Sequence, residues 1–323
     1  MTKRLFVLPL IAVLLAGCGG SANEEEIVFI SPKGAPTLAF YDQGVNPNFV
    51  TSGEPSAVLA ELQKNDKDVV VFDSINGLKS IKANSANFGL AKIITGGNFY
   101  LAGIDKTADD KGVFPLPTAD DVVVSFGQNL IPDIVYSKLC SDYWHIENNA
   151  KYVASVTDAL AVLTSGQYSG GKVDYVFIAE PALTTAINKA DANTFGKVSV
   201  VRNIRSEWKT YSGQDGIAQA GVFVNKASLE TKPNKLKDFF TKLEDRIDTA
   251  ISNPDVAKAS LDLYGNAAEQ VSRFGFNSTI MSKVQKDDRN GFGLVSSTES
   301  IDVNNFLESL GQSTFDDSYF VTL

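Results

Sequence analysis

A single histidine, His145, and two cysteines, Cys18 and Cys140, are all that 323 residues provide for imidazole or thiol chemistry. A Ser-His-Asp or Cys-His arrangement would have to use His145, and one imidazole excludes a His-rich zinc site. His145 stands in Asp142-Tyr143-Trp144-His145-Ile146-Glu147, which has no metal-ligand spacing and reads as a surface or satisfied-core histidine. Cys140 follows the apolar run Ile131 to Leu139 and reads as a packed thiol. No Gly-x-Ser-x-Gly elbow and no phosphate-cradling glycine loop is present. Sequence spacing alone cannot reveal a carboxylate pair suited to glycoside chemistry. The residues predict a chain with no catalytic centre, no metal and no cofactor.

Cys18 has a more specific context. Met1-Thr2-Lys3-Arg4 is a basic start, Leu5 to Leu15 an apolar run, and Leu15-Ala16-Gly17 the small residues before Cys18. This is the pattern of a secretory signal, and its apolar run is shorter than the roughly 20 residues a membrane span needs. Leu-Ala-Gly-Cys resembles the lipobox of bacterial lipoproteins. That resemblance implies cleavage before Cys18, acyl chains such as palmitate on Cys18, and an extracytoplasmic protein tied to the membrane by lipid alone. Cys140 would then be the one remaining thiol, which leaves no intramolecular disulfide. Residues 18–26 are small and acidic and read as a flexible tether. Losing Lys3 and Arg4 takes the formal charge from −9 to about −11. Such acidity argues against nucleic acid or an anionic lipid surface as partner.

The elements that must position any site repeat one pattern. Ile27 to Ile30, Val69 to Phe72, Val122 to Val124, Tyr175 to Ile178 and Gly221 to Val224 are apolar throughout, as strands buried on both faces are. Helical runs follow the first four: Thr37 to Tyr41, a run to Ile81, Ile131 to Leu139, and Ala182 to Ile187. Ser56 to Leu62 and Val156 to Leu163 are further helices. Asp105 to Thr118 and Arg205 to Gln219 read as irregular zones, and after Pro233 the chain turns helical. The fold class is α/β: two doubly wound lobes of parallel sheet joined by two crossover strands, with a helical C-terminal part. The expected division is 1–17 signal, 18–26 tether, 27–104 plus 216–323 first lobe, and 105–215 second lobe, with hinges near 104 and 215.

Lipoprotein signal, acidic tether and two βα lobes together resemble the type II periplasmic solute-binding proteins of ABC importers. Ser31-Pro32-Lys33-Gly34-Ala35-Pro36-Thr37 looks like the opening loop of the thiamine-precursor and sulfonate type. Val71-Phe72-Asp73-Ser74-Ile75-Asn76-Gly77 is similar to its second pocket loop, and Tyr175-Val176-Phe177-Ile178-Ala179-Glu180-Pro181 holds the place of its second-lobe strand and helix start. The resemblance implies a monomer that captures a small molecule between lobes and delivers it to an ABC permease and its ATPase. A sensing or surface-interaction lipoprotein with no transport partner is the alternative; an enzyme on the same fold fits less well.

In open α/β sheets, ligands sit beyond the carboxyl ends of strands, where helix starts present free N–H groups. The candidates are therefore Gly34, Pro36 and Thr37; Asp73, Ser74 and Asn76; Ser125, Gln128 and Asn129; and Glu180. Asn98 and Tyr100 near the first crossing, and Trp208 and Tyr211 in the second irregular zone, add an amide and rings. Turn chemistry and helix capping would select many of the same residues. No arginine lies in the four loops, and Asp73 and Glu180 would repel an anion. The expected ligand is thus neutral or weakly basic, an aromatic heterocycle such as a pyrimidine-like vitamin precursor.

Overall fold

The computed structural model describes residues 25–190, 196–287 and 289–323. The leader, Cys18 and most of the tether lie outside the described residues. Two five-stranded sheets form the body. The first contains β1 (Phe29–Pro32), β2 (Phe49–Ser52), β3 (Val69–Asp73) and β4 (Phe88–Thr95). The second contains β5 (Phe99–Ile104), β6 (Val123–Phe126) and β7 (Lys151–Val153). A small hairpin of β8 (Gln167–Tyr168) and β9 (Gly171–Lys172) precedes β10 (Tyr175–Ala179) and β11 (Val198–Asn203), which return to the second sheet. Finally β12 (Ala220–Asn225) re-enters the first sheet. The orders are β2-β1-β3-β12-β4 and β11-β5-β10-β6-β7.

Each sheet is parallel except for one reversed strand. β12 runs antiparallel to β3 and β4, and β5 antiparallel to β10 and β11. The reversed strand is in each case the first to arrive from the other lobe. Entirely apolar strands predicted parallel sheets, but burial on both faces does not encode direction. The crossings fix it, and each lobe gains a strand that enters backwards.

Because β5 pairs inside the second sheet, the first crossing falls between Thr95 and Phe99, earlier than residue 104. There Gly96 N donates to Gly293 O at 2.7 Å, and a Cβ on Gly293 (φ +68) would come within 2.7 Å of Gly97 O. Only glycine permits that approach. The second crossing occupies residues 213–219, between α6 (Ile204–Ser212) and β12. Arg205 to Ser212 is therefore helical rather than irregular. Asn203 caps it by accepting from the Arg205 and Ser206 N–H groups, and only Ile204 and Trp208 are buried, which hid the periodicity.

Around the sheets stand a 3-10 turn, Ala35–Phe40, with Pro36 in its first turn, then α1 (Pro55–Lys64), α2 (Ser74–Asn84) and α3 (Ile131–Lys138). A π-helical segment, Leu139–Trp144, prolongs α3. Next come α4 (Val156–Ser165), started by a Ser155–Asp158 capping box, and α5 (Ala182–Ala190). The C-terminal part is helical: α7 (Lys226–Thr231), α8 (Pro233–Ser252), α9 (Pro254–Tyr264), α10 (Ala267–Phe274), α11 (Ser278–Lys286) and α12 (Val303–Ser309). No helix among the described residues is long and apolar enough to cross a membrane.

Three apolar clusters hold these layers. One packs a face of the first sheet against the 3-10 turn and α8 to α11, and another packs a face of the second against α4 and α5. The third runs through both lobes, from Val58 and Leu78 to Tyr136, Phe177 and Trp208. Trp208 stacks edge-on at 5.2 Å against Phe306 of α12, so apolar packing joins the lobes beside the second crossing.

Candidate functional site

The carboxyl ends of β3 and β6 meet across the lobes. Asp73, N-cap of α2, accepts from Asn76 N at 2.9 Å through Oδ1. Its other oxygen, Oδ2, accepts from Ile131 N at 2.9 Å, the first residue of α3 in the other lobe. Asn76 Nδ2 donates to Asn129 O at 3.3 Å, again across the gap. Burial pushes the Asp73 carboxyl above its ordinary range, opposed by the N–H groups of Asn76 and Ile131.

From this corner a hydrogen-bond chain runs past the crossings into the second lobe. Ser74 N donates to Gln219 O at 3.0 Å, and the Ser74 hydroxyl donates to Ala218 O. Gln219 Nε2 donates to Asn98 Oδ1 at 2.9 Å, and Asn98 Nδ2 donates to Glu180 O at 2.7 Å. Glu180, only 2% exposed, accepts through its carboxylate from Thr184 N at 3.0 Å and Thr184 Oγ1 at 2.8 Å. Burial raises its carboxyl too, against those donors and the nearby Arg289.

Arg289 stands in no motif that would single it out in the residue order. It reaches from the C-terminal part to the start of α5, with Nη2 at 3.2 Å from Thr184 Oγ1 and 3.4 Å from Glu180 Oε1. Its guanidinium lies 5.6 Å from the Tyr100 ring centroid, and the Tyr100 hydroxyl donates to Arg289 O. Thr184 and Gln219 were likewise unmarked. Arg289 and Gln219 lie in no periodic or motif context, Thr184 is one position of the helical run Ala182 to Ile187 with nothing to set it apart, and the Arg289–Thr184 contact spans 105 positions.

The predicted residues thus fall into groups. Asp73, Ser74, Asn76, Asn98, Tyr100, Asn129 and Glu180 belong to one connected set. Ser125 is fully buried at the end of β6, and Gln128 is exposed beside Asn129. Gly34, Pro36 and Thr37 stand at the end of β1, the neighbour of β3. The Thr37 hydroxyl lies 2.7 Å from both Gly34 O and Phe274 O, which ties it to α10, while a Cβ on Gly34 would meet open space. Trp208 is wholly buried against Phe306 and Tyr211, and Tyr211 donates to Asp142 at 3.2 Å. Those two rings face the shared core rather than the polar set.

A cavity of about 610 Å³ opens between the lobes beside Asn129, with Lys79 and Leu310 on one wall and Asp133, Ser137, Ser141 and Asn148 on the other. Its size suits a small molecule. His145 is exposed in a left-handed turn after the π-helical segment, and burial raises the Cys140 thiol to about 12. Among the described residues no group of three or more His, Cys, Asp or Glu is placed to hold a metal ion.

No protein-family model and no curated protein matches the chain. Solved structures do. An ABC transporter protein from Parabacteroides distasonis superposes with TM-score 0.60 at 16% identity, covering 92% of this chain and 99% of that one. The alkanesulfonate-binding protein SsuA from Xanthomonas axonopodis pv. citri, bound to MOPS, gives TM-score 0.55 at 14% identity over 82% and 84%. The ligand-binding component of an ABC-type import system from Staphylococcus aureus, with zinc bound, gives 0.57 at 9% over 88% and 99%. The fold is that of the type II periplasmic binding proteins.

Proposed function

We propose that this chain is an extracytoplasmic solute-binding lipoprotein that captures a small molecule between its lobes and delivers it to an ABC permease. The observation that carries the reading is the meeting of two strand-end rims, Asp73–Asn76 with Asn129–Ile131, across a gap spanned by two crossings. Helix starts on both sides bring N–H groups to this gap, where Asp73 accepts those of Asn76 and Ile131 and Gln219 that of Ser74. The ligand of this reading is neutral or weakly basic. Arg289, the guanidinium that bonds within the polar set, is already shared between Asp287 and Glu180, which leaves it little positive charge to offer an anion. Anchoring is through Cys18, and no catalytic step is assigned.

A thermal-shift screen of pyrimidine-like precursors, amines and sulfonates tests the reading, since a ligand of the folded form raises the midpoint. A rise with the first two classes is expected. A rise with sulfonates alone overturns the ligand class, and no rise with any class overturns solute binding. Cys18→Ser is expected to abolish labelling by radioactive palmitate and release the protein from membranes; continued labelling overturns the anchor.

A further inference from the structure

We infer that the lobes are held together by a polar latch with one half on each face of the second sheet, an inference that rests on reading the gap between the lobes as the ligand's place. The first half lies on the α3 side, where Ile131 N donates to Asp73 Oδ2 at 2.9 Å and Asn76 Nδ2 to Asn129 O at 3.3 Å. The second lies on the α5 side. Lys283 Nζ donates to Asn188 Oδ1 at 2.8 Å, and Arg289 Nη2 meets Thr184 Oγ1 at 3.2 Å and Glu180 Oε1 at 3.4 Å.

Two features make this a latch rather than incidental contact. Ile131 opens α3, so its N–H has no partner within the helix and is one of the donors a ligand would otherwise find. The chain fills it with its own carboxylate, from the opposite lobe. On the other face Arg289 is not free to swing, because Asp287 holds its Nε at 2.7 Å and its Nη2 at 3.0 Å. A guanidinium fixed at two points presents a set geometry to α5. For a ligand to reach the Ile131 N–H, both halves must part, which gives the chain a threshold against weak binders.

Hydrogen–deuterium exchange of the full chain in detergent, with no ligand added, reads the latch at a single amide. Since Asp73 is the partner of Ile131 N, exchange there reports opening directly. The expected result is protection of Ile131 in the wild type and a rise of about tenfold in its exchange rate when the far half is removed by Arg289→Met with Glu180→Gln. Lys283→Ala, a surface change, is expected to give a smaller rise and decides the matter should the paired variant fold poorly. Unprotected exchange at Ile131 in the wild type overturns the latch. So does an unchanged rate in variants that keep their unfolding midpoint. A failed thermal-shift screen would remove solute binding while leaving this result standing, so the two failures are distinguishable.

Discussion

Asp73 and Glu180 occupy matching corners of the two lobes: each is an acid between the end of an apolar strand and the start of a helix, and burial raises each carboxyl. Their partners differ in kind. Asp73 spends one oxygen on its own helix and the other on a neutral backbone N–H of the opposite lobe. Glu180 spends both oxygens on Thr184 in its own helix and receives a charged side chain, Arg289, from the opposite lobe. One local grammar therefore yields two kinds of joint. The first depends on the position of a helix end, the second on charge compensation in a place water scarcely reaches.

The largest effect expected from that contrast comes from Arg289→Met alone, which leaves Glu180 buried with only Thr184 as partner. Urea unfolding at neutral pH should register a loss of about 3 kcal/mol, the low end of the range for breaking a buried pair because Thr184 remains. Adding Glu180→Gln should recover most of it, and no recovery would mean that packing, not charge, holds that joint. Asp73→Ala removes a cap and a neutral cross-lobe bond together, for an expected loss of about 1–2 kcal/mol by the same measurement. A larger loss than that of Arg289→Met would reverse the comparison.

The pH response separates the corners from the rest of the molecule. With both carboxyls raised, the folded chain keeps protons that the unfolded chain has released. Their contribution to stability is full below the ordinary carboxylate value of about 4 and declines as pH rises through the raised values. The midpoint of the wild type minus that of Asp73→Asn/Glu180→Gln should therefore shrink between about pH 4 and pH 7. A difference that widens would show the carboxyls to be lowered instead. The smallest effect is expected from Asn76→Ala. It removes two long side-chain bonds, to Asn129 O at 3.3 Å and to Asp73 Oδ1 at 3.2 Å, and should cost about 0.5 kcal/mol.

Much of this arrangement could be read from residue order. β1, β3, β6, β10 and β12 each carry an apolar run because both their faces are covered, and Pro36 and Asp73 mark helix starts by local chemistry. Edge strands were harder. β7 has an exposed Lys151, and β2 alternates only weakly, so neither carries a strong period. α6 was hidden by polar residues along most of its length, with Trp208 serving a core shared by the lobes. Arg289 had no local signature at all. Its role depends on two elements that come together only when the C-terminal helices fold back onto α5.

The reversed strands carry a consequence for biogenesis. The second sheet is complete once Asn203 has emerged, whereas the first waits for Ala220–Asn225 to slot between β3 and β4. Until then β3 offers Val69–Phe72 as an open, greasy edge, the sort of surface that invites pairing with a stranger chain. A nascent polypeptide halted before that point holds a finished half and a sticky one until the late strand arrives.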